Sequence, residues 1–257
     1  MTTLDPPHDA DLTKDDFLGG RLQLLQPRAG YRAGIDPVVL AASVEARKGQ
    51  SILDLGCGVG TAALCIGRRV PGVSLVGLEV QEPFADLARR NGALNGLLFD
   101  VVTGDVAQMP DALKAQQFDH VIANPPYFDR AASTRAPAAD KERALGENTA
   151  LSVWVNAAAK RAAPGGTVSF IHRAERLPDL LDLVGRHLGS LELLPLAPRD
   201  NRPARLVLLR DRKGGRADFR IYAPWVLHAG SRHQGDRESY TEATVSVLRD
   251  GAALHFS

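Results

Sequence analysis

Leu53-Asp54-Leu55-Gly56-Cys57-Gly58-Val59-Gly60 is an apolar run of strand length that breaks into alternating glycines, and a helical pattern begins at Thr61. Strand, glycine turn and helix in that order open a βαβ unit, with the helix N-terminus facing whatever occupies the turn. A dinucleotide fingerprint starting at Gly56 needs its third glycine at position 61; this chain has Thr61 there, and the spacing is GxGxG. Asp54 points the same way. A pyrophosphate at a helix N-terminus is disfavoured by a neighbouring carboxylate, whereas a positively charged cofactor without phosphate is favoured by one. Cys57, inside the loop, reads as a small apolar filler rather than a reactive thiol.

On either side of this turn, short β-rich runs alternate with longer helical ones. Residues 52–55, 73–78, 99–103, 120–123, 167–171 and 206–209 have strand length, and 61–69, 82–94, 150–162 and 175–188 have helical pattern. Pro164-Gly165-Gly166 is a stop and re-entry signal between the last two groups. The rhythm predicts an α/β fold: a Rossmann-like, seven-stranded, mostly parallel sheet with helices on both faces. Residues 1–16 are polar, contain Pro6-Pro7 and read as a flexible tail. Residues 17–257 read as one domain: an opening hairpin and helix (17–50), a core (51–210), and a closing strand and helix (211–257). Asp36-Pro37 marks a helix start, with Asp36 as cap, and that helix is expected to reach Arg47.

Two further acids end strands. Glu79, followed by Val80, closes the second run of the core, where a carboxylate can accept both hydroxyls of a ribose. Asp105 closes the third; it can accept from an adenine amino group while Val106 packs on the ring. Three acids at successive strand ends, with the glycine turn, resemble the class I S-adenosylmethionine-dependent methyltransferases over about residues 36–210. That resemblance implies S-adenosylmethionine as cofactor, held by Asp54, the loop Gly56, Cys57, Gly58 and Gly60, and the pairs Glu79-Val80 and Asp105-Val106.

Asn124-Pro125-Pro126-Tyr127 follows the fourth strand into the same crevice. Two prolines stiffen the loop and leave carbonyls as acceptors. An NH2 group can donate to the Asn124 side-chain oxygen and the Pro125 carbonyl, which aims its lone pair, and Tyr127 and Phe128 offer walls for a planar base. Asn124 is also expected to border the cofactor. The loop resembles that of adenine-N6 methyltransferases of DNA and RNA, of protein-glutamine N5-methyltransferases acting on release factors, and of guanine-N2 methyltransferases of ribosomal RNA. Adenine and a carboxamide present the same donor pair, and the motif does not separate them.

Release-factor methyltransferases carry a helical N-terminal domain, whereas about fifty residues precede Ile52 here. The stretch from Phe17 to Asp36, Arg205 to Arg210 followed by Lys213-Gly214-Gly215, and Tyr240-Thr241-Glu242 ahead of a closing helix are similar instead to the bacterial tRNA1(Val) adenine-37 N6-methyltransferases. This resemblance implies a tRNA partner. Charge agrees: residues 199–220 hold eight basic and three acidic side chains, including Arg202 and Arg205, in a chain of net charge +1. Two cysteines separated by seven residues exclude a disulfide framework or zinc cluster, so no metal is expected. Without a signal peptide or an apolar run of membrane length, the sequence reads as cytoplasmic with no membrane partner.

Overall fold

The computed structural model describes residues 11–30, 32–127, 149–230 and 239–257. The chain opens with a hairpin, β1 (Leu12–Phe17) and β2 (Leu22–Pro27), and helix α1 (Asp36–Ser43). The core alternates β3 (Ser51–Leu55), α2 (Thr61–Arg69), β4 (Ser74–Glu79), α3 (Glu82–Leu94) and β5 (Phe99–Thr103). It continues through α4 (Asp111–Lys114), β6 (Phe118–Ala123), α5 (Leu151–Arg161), β7 (Ala162–Arg173) and α6 (Leu177–Gly185). β8 (Gly189–Ala197), β9 (Leu206–Arg212), the two-residue strands β10 (Arg220–Ile221) and β11 (Trp225–Val226), and α7 (Glu242–Asp250) complete it.

The seven long strands of the main sheet lie in the order β8-β9-β7-β6-β3-β4-β5, and β10 and β11 both join β8, which makes nine strands where seven were expected. Within this sheet all strand pairings are parallel except those of β9, which opposes both of its neighbours. From β3 the chain winds one way through β4 and β5, then returns to β6 and winds the other way through β7. The β3–β6 boundary is therefore the switch point of the sheet, where a crevice opens at the carboxyl ends of the strands. One face packs β2, α1 and α2 around Leu22, Leu40, Leu64 and Ile66; the other packs α5 and α6 around Trp154, Val155, Leu180 and Val184.

The hairpin is fastened by two asparagines, Asn91 in α3 and Asn95 at its C-cap, that imitate a neighbouring strand. Asn91 Oδ1 accepts the Leu25 N–H at 2.7 Å while its amide donates to the carbonyls of Leu25 and Val59. One turn later Asn95 repeats the exchange with Gln23. Strand β1 occupies part of the segment expected to be a tail, which lies partly outside the described residues. Its exposed Lys14 and Asp16, with Asp15 between them bonded to Gln26 and Arg32, hide a strand pattern that hairpin pairing supplies.

Three other expectations change. Helix α1 stops at Ser43 because Val44 turns extended, and Arg69 donates to the freed carbonyls of Ala41 and Val44. Pro164-Gly165-Gly166 does not end an element but bulges within β7, between the Phe118–Ala162 and His120–Thr167 pairs. β8 was not anticipated; Pro195 stands inside it. Pro195 is tolerated because β10 pairs residues 192–193 and β11 pairs 196–197, leaving its missing N–H on an unpaired stretch of edge.

Candidate functional site

The loops after β3 and β6 leave adjacent strands at the switch point. In the first, the N–H groups of Gly56 and Cys57 both donate to the Leu78 carbonyl, at 2.7 and 3.1 Å, which folds the turn over the end of β4. Gly60 has φ +87°, and a Cβ there would stand 2.7 Å from the Phe99 ring, so both backbone and packing require glycine. A Cβ on Gly58 would meet nothing within 4 Å, and its N–H donates to Glu79 Oε2 at 2.9 Å. The result is an open cradle of backbone beside a carboxylate.

Both acids beside this cradle are buried. Asp54 accepts from the Ala63 N–H at 3.2 Å, and burial, with added repulsion from Glu79, pushes its carboxyl up to about 7. Burial also raises Glu79 above the usual range, although Gln81 and Gly58 N–H groups bonded to it pull the other way. Two carboxyls held reluctantly away from water are stabilised by a cation. Asp105 lies half-buried at the end of β5, with Oδ1 accepting the Ala107 N–H at 2.8 Å; Val106 is buried beside it, and Val80 is exposed at the lip of the crevice. Cys57 is buried, and burial with the charges of Asp54 and Glu79 drives its thiol well above its ordinary range, so it is no nucleophile.

In the second loop, Asn124 Oδ1 is buried and has no hydrogen-bond partner among the described residues. Pro125 is buried and Pro126 exposed. Tyr127 is half-buried; its hydroxyl donates to Asp36 Oδ2 at 2.7 Å. The His172 ring meets the Tyr127 ring edgewise at 5.4 Å and the Arg173 guanidinium lies 5.5 Å from the Tyr127 centroid. Burial and then Arg176 hold His172 down to about 4, so its ring is neutral at physiological pH. Phe128 lies outside the described residues.

The chain matches the family model described as methyltransferase small domain over residues 34–173. It belongs to that family. A Porphyromonas gingivalis relative named tRNA1(Val) (adenine(37)-N6)-methyltransferase is 30% identical over 70% of this chain and 76% of its own length. A Yersinia enterocolitica relative of the same name is 34% identical over 48% of this chain and 49% of its own. A solved structure described as a predicted O-methyltransferase from Agrobacterium tumefaciens has a TM-score of 0.68 at 24% identity, covering 86% of this chain and 98% of that one. A T. thermophilus 16S rRNA N2 methyltransferase solved with AdoMet and guanosine has a TM-score of 0.56 at 19% identity, covering 79% of this chain and 50% of that one. These two likenesses show the fold, that of a class I methyltransferase.

The methyltransferase uses S-adenosylmethionine, and the residues present fit it. The cradle at Gly58 has room, Asp54 and Glu79 gain from its positive charge, and no phosphate needs a counter-ion. Sequence reading missed three neighbours of this site. Trp154, on α5, sets its ring 2.6 Å from where a Cβ of Gly56 would stand, and its buried Nε1 has no partner among the described residues. His172 carries no motif, and Asp36 was read as a helix cap. Asp36 is instead the first residue of the helix, after the cap position at Ile35, and its carboxylate reaches across to Tyr127.

The basic segment divides. β9 runs antiparallel, so Arg202 and Arg205, on the β8–β9 connection, stand at the crevice end of the sheet, while Arg212, Lys213, Arg216 and Arg220 stand at the other end. Arg199 is occupied in donating to Ser239. Arg202 and Arg205 are exposed, with no side-chain partner among the described residues. Among those residues no cluster of His, Cys, Asp or Glu suits a metal ion, and no helix is long and apolar enough to cross a membrane.

Proposed function

We propose that this methyltransferase modifies the N6 amino group of an adenine in a tRNA anticodon loop, in the cytoplasm. The observation that carries the reading is Asn124 Oδ1, a buried acceptor without a donor at the end of β6, beside the cofactor loop. A buried amide oxygen costs about 1–3 kcal/mol when unsatisfied, and an incoming NH2 group relieves that cost. S-adenosylmethionine supplies a methyl group bonded to positively charged sulfur. Asn124 Oδ1 and the Pro125 carbonyl each take one N–H of the acceptor, which turns the nitrogen lone pair out of conjugation and toward the cofactor crevice. The nitrogen becomes acidic on methylation and releases its proton to water, so no strong base is required.

Tyr127 supplies a face for the base, and Arg202 and Arg205 supply phosphate contacts at the same end of the sheet. Asp54, Gly58 and Glu79 are assigned to the cofactor, with Val80, Asp105 and Val106 around its adenine. The relatives named for adenine-37 of tRNA1(Val) support the choice of adenine in tRNA over a guanine or a glutamine side chain. Mass spectrometry of nucleosides from unmodified tRNA incubated with the protein and labelled S-adenosylmethionine tests it. Labelled N6-methyladenosine is expected; label only on N2-methylguanosine, or only on a release-factor glutamine, overturns it.

A further inference from the structure

Tyr127 is attached to a part of the chain 91 residues away. Its hydroxyl donates to Asp36 Oδ2 at 2.7 Å, a bond to an ionisable carboxylate of the kind roughly twice as strong as a neutral pair. Asp36 is the first residue of α1, whose following residues Pro37, Val38, Val39 and Leu40 are all buried, so the acceptor is fixed to the core. His172 against the ring and Arg173 beside it come from the end of β7, a third element. A tyrosine at the start of a loop that only had to be aromatic needs none of these.

We propose that Asp36 is a positioning residue for methyl transfer: through the phenol it sets the plane of the Tyr127 ring, and hence of the stacked acceptor base. This rests on the reading of Tyr127 as the stacking platform. A ring free to rotate about its side-chain torsions still offers a π-face and still attracts a base. It no longer holds the amino group in line with Asn124 Oδ1 and the transferred methyl, and small misplacements of reacting groups cost rate rather than binding. The hydroxyl and the carboxylate act as one unit, so deleting either deletes the whole effect.

Steady-state methylation of unmodified tRNA by the full chain, together with equilibrium dialysis of S-adenosylmethionine, separates the alternatives in Asp36→Ala, Asp36→Asn, Tyr127→Phe and the Asp36→Ala/Tyr127→Phe double variant. Asp36→Ala and Tyr127→Phe are each expected to lower kcat about tenfold, with KM for tRNA changed less than threefold and cofactor affinity unchanged. The double variant is expected to match either single one. Asp36→Asn keeps an acceptor oxygen and is expected to recover most of the rate. Multiplying losses, about a hundredfold in the double variant, overturn the proposal, as does full activity in Tyr127→Phe. Tyr127→Ala tests the platform separately: if it retains full activity, the stacking role fails, whereas an inactive Tyr127→Ala with an additive cycle sinks only the role of Asp36.

Discussion

Leu55 and Ala123 stand opposite each other in the parallel β3–β6 pair, so Gly56 and Asn124 leave the sheet at the same level. Neighbouring strands are about 4.8 Å apart, and the cofactor turn and the acceptor loop therefore begin within one strand spacing of each other. On the far side of β3, Leu78 pairs with Leu55, which puts Glu79 next in line. The register of three strands thus sets out the acid, the glycine cradle and the amide in a row.

If Asp54 faces the cofactor as assigned, cofactor binding is expected to depend on pH. Its folded-state carboxyl is pushed up to about 7, so the ionised form that a cationic cofactor selects accumulates only as pH rises through that value. Affinity for S-adenosylmethionine, measured by calorimetry, is expected to be about tenfold weaker at pH 6 than at pH 8. The cofactor-free fold carries the opposite sign: with its acid raised, it loses stability as pH climbs from the ordinary carboxyl range to about 7. Asp54→Asn is expected to flatten both profiles; a pH-independent affinity in the parent protein would refute the assignment.

Asn91 holds the hairpin and the cofactor loop with one side chain. It is fully buried and bonds Leu25 N–H, the Leu25 carbonyl and the Val59 carbonyl. Asn91→Ala leaves three backbone groups unsatisfied and is expected to cost about 3 kcal/mol, a fall of roughly 6–12 °C in Tm. Asn95 is only half-buried, and Asn95→Ala is expected to cost about 1 kcal/mol. Equal effects of the two substitutions in thermal unfolding would show that the strand mimicry is not the source of the stability.

The divided basic segment is expected to separate RNA contacts from ordinary surface charge. Arg202→Ala and Arg205→Ala, at the crevice end, are each expected to weaken tRNA binding and to reduce the salt slope of log Kd by about 1. Arg216→Ala, at the opposite end and equally exposed, is expected to change neither. Filter binding across a salt series decides it, and an Arg216 effect as large as the others would place the RNA elsewhere.

Much of this arrangement could be read before any coordinates. Helices at 61–69 and 82–94 and the strand at 99–103 fall where the sequence puts them, because glycine turns and Pro83 punctuate strong apolar periods. What was illegible depends on partners distant in sequence. Pro195 sits inside a strand because β10 and β11 pair on either side of it. Eight basic residues look like one patch until the direction of β9 sends seven of them to opposite ends of the sheet and leaves Arg210 mid-strand, paired with Glu45 and Glu192. Asp36 looks like a cap because Asp-Pro starts helices, and no local pattern announces a tyrosine 91 residues later.

Asn124 offers the sharpest test, since function and stability are expected to move in opposite directions. Its Oδ1 is buried without a donor, so the cofactor-free fold carries a desolvated acceptor that contributes nothing to stability. Removing it in Asn124→Ala is expected to leave Tm unchanged or to raise it by up to a few degrees, in the way that strained active sites commonly trade stability for activity. The same change withdraws one of the two acceptors that orient the amino group, and kcat for methyl transfer is expected to fall about 10²- to 10³-fold, the loss typical of removing one oriented polar group at a reacting centre. Cofactor affinity should stay within about threefold, because Asp54, Gly58 and Glu79 are untouched. Single-turnover methylation and thermal unfolding of the same preparation read both effects. A variant that is destabilised by more than about 2 kcal/mol would mean that Asn124 is a structural amide with an internal partner, and the acceptor would have to be oriented by other groups.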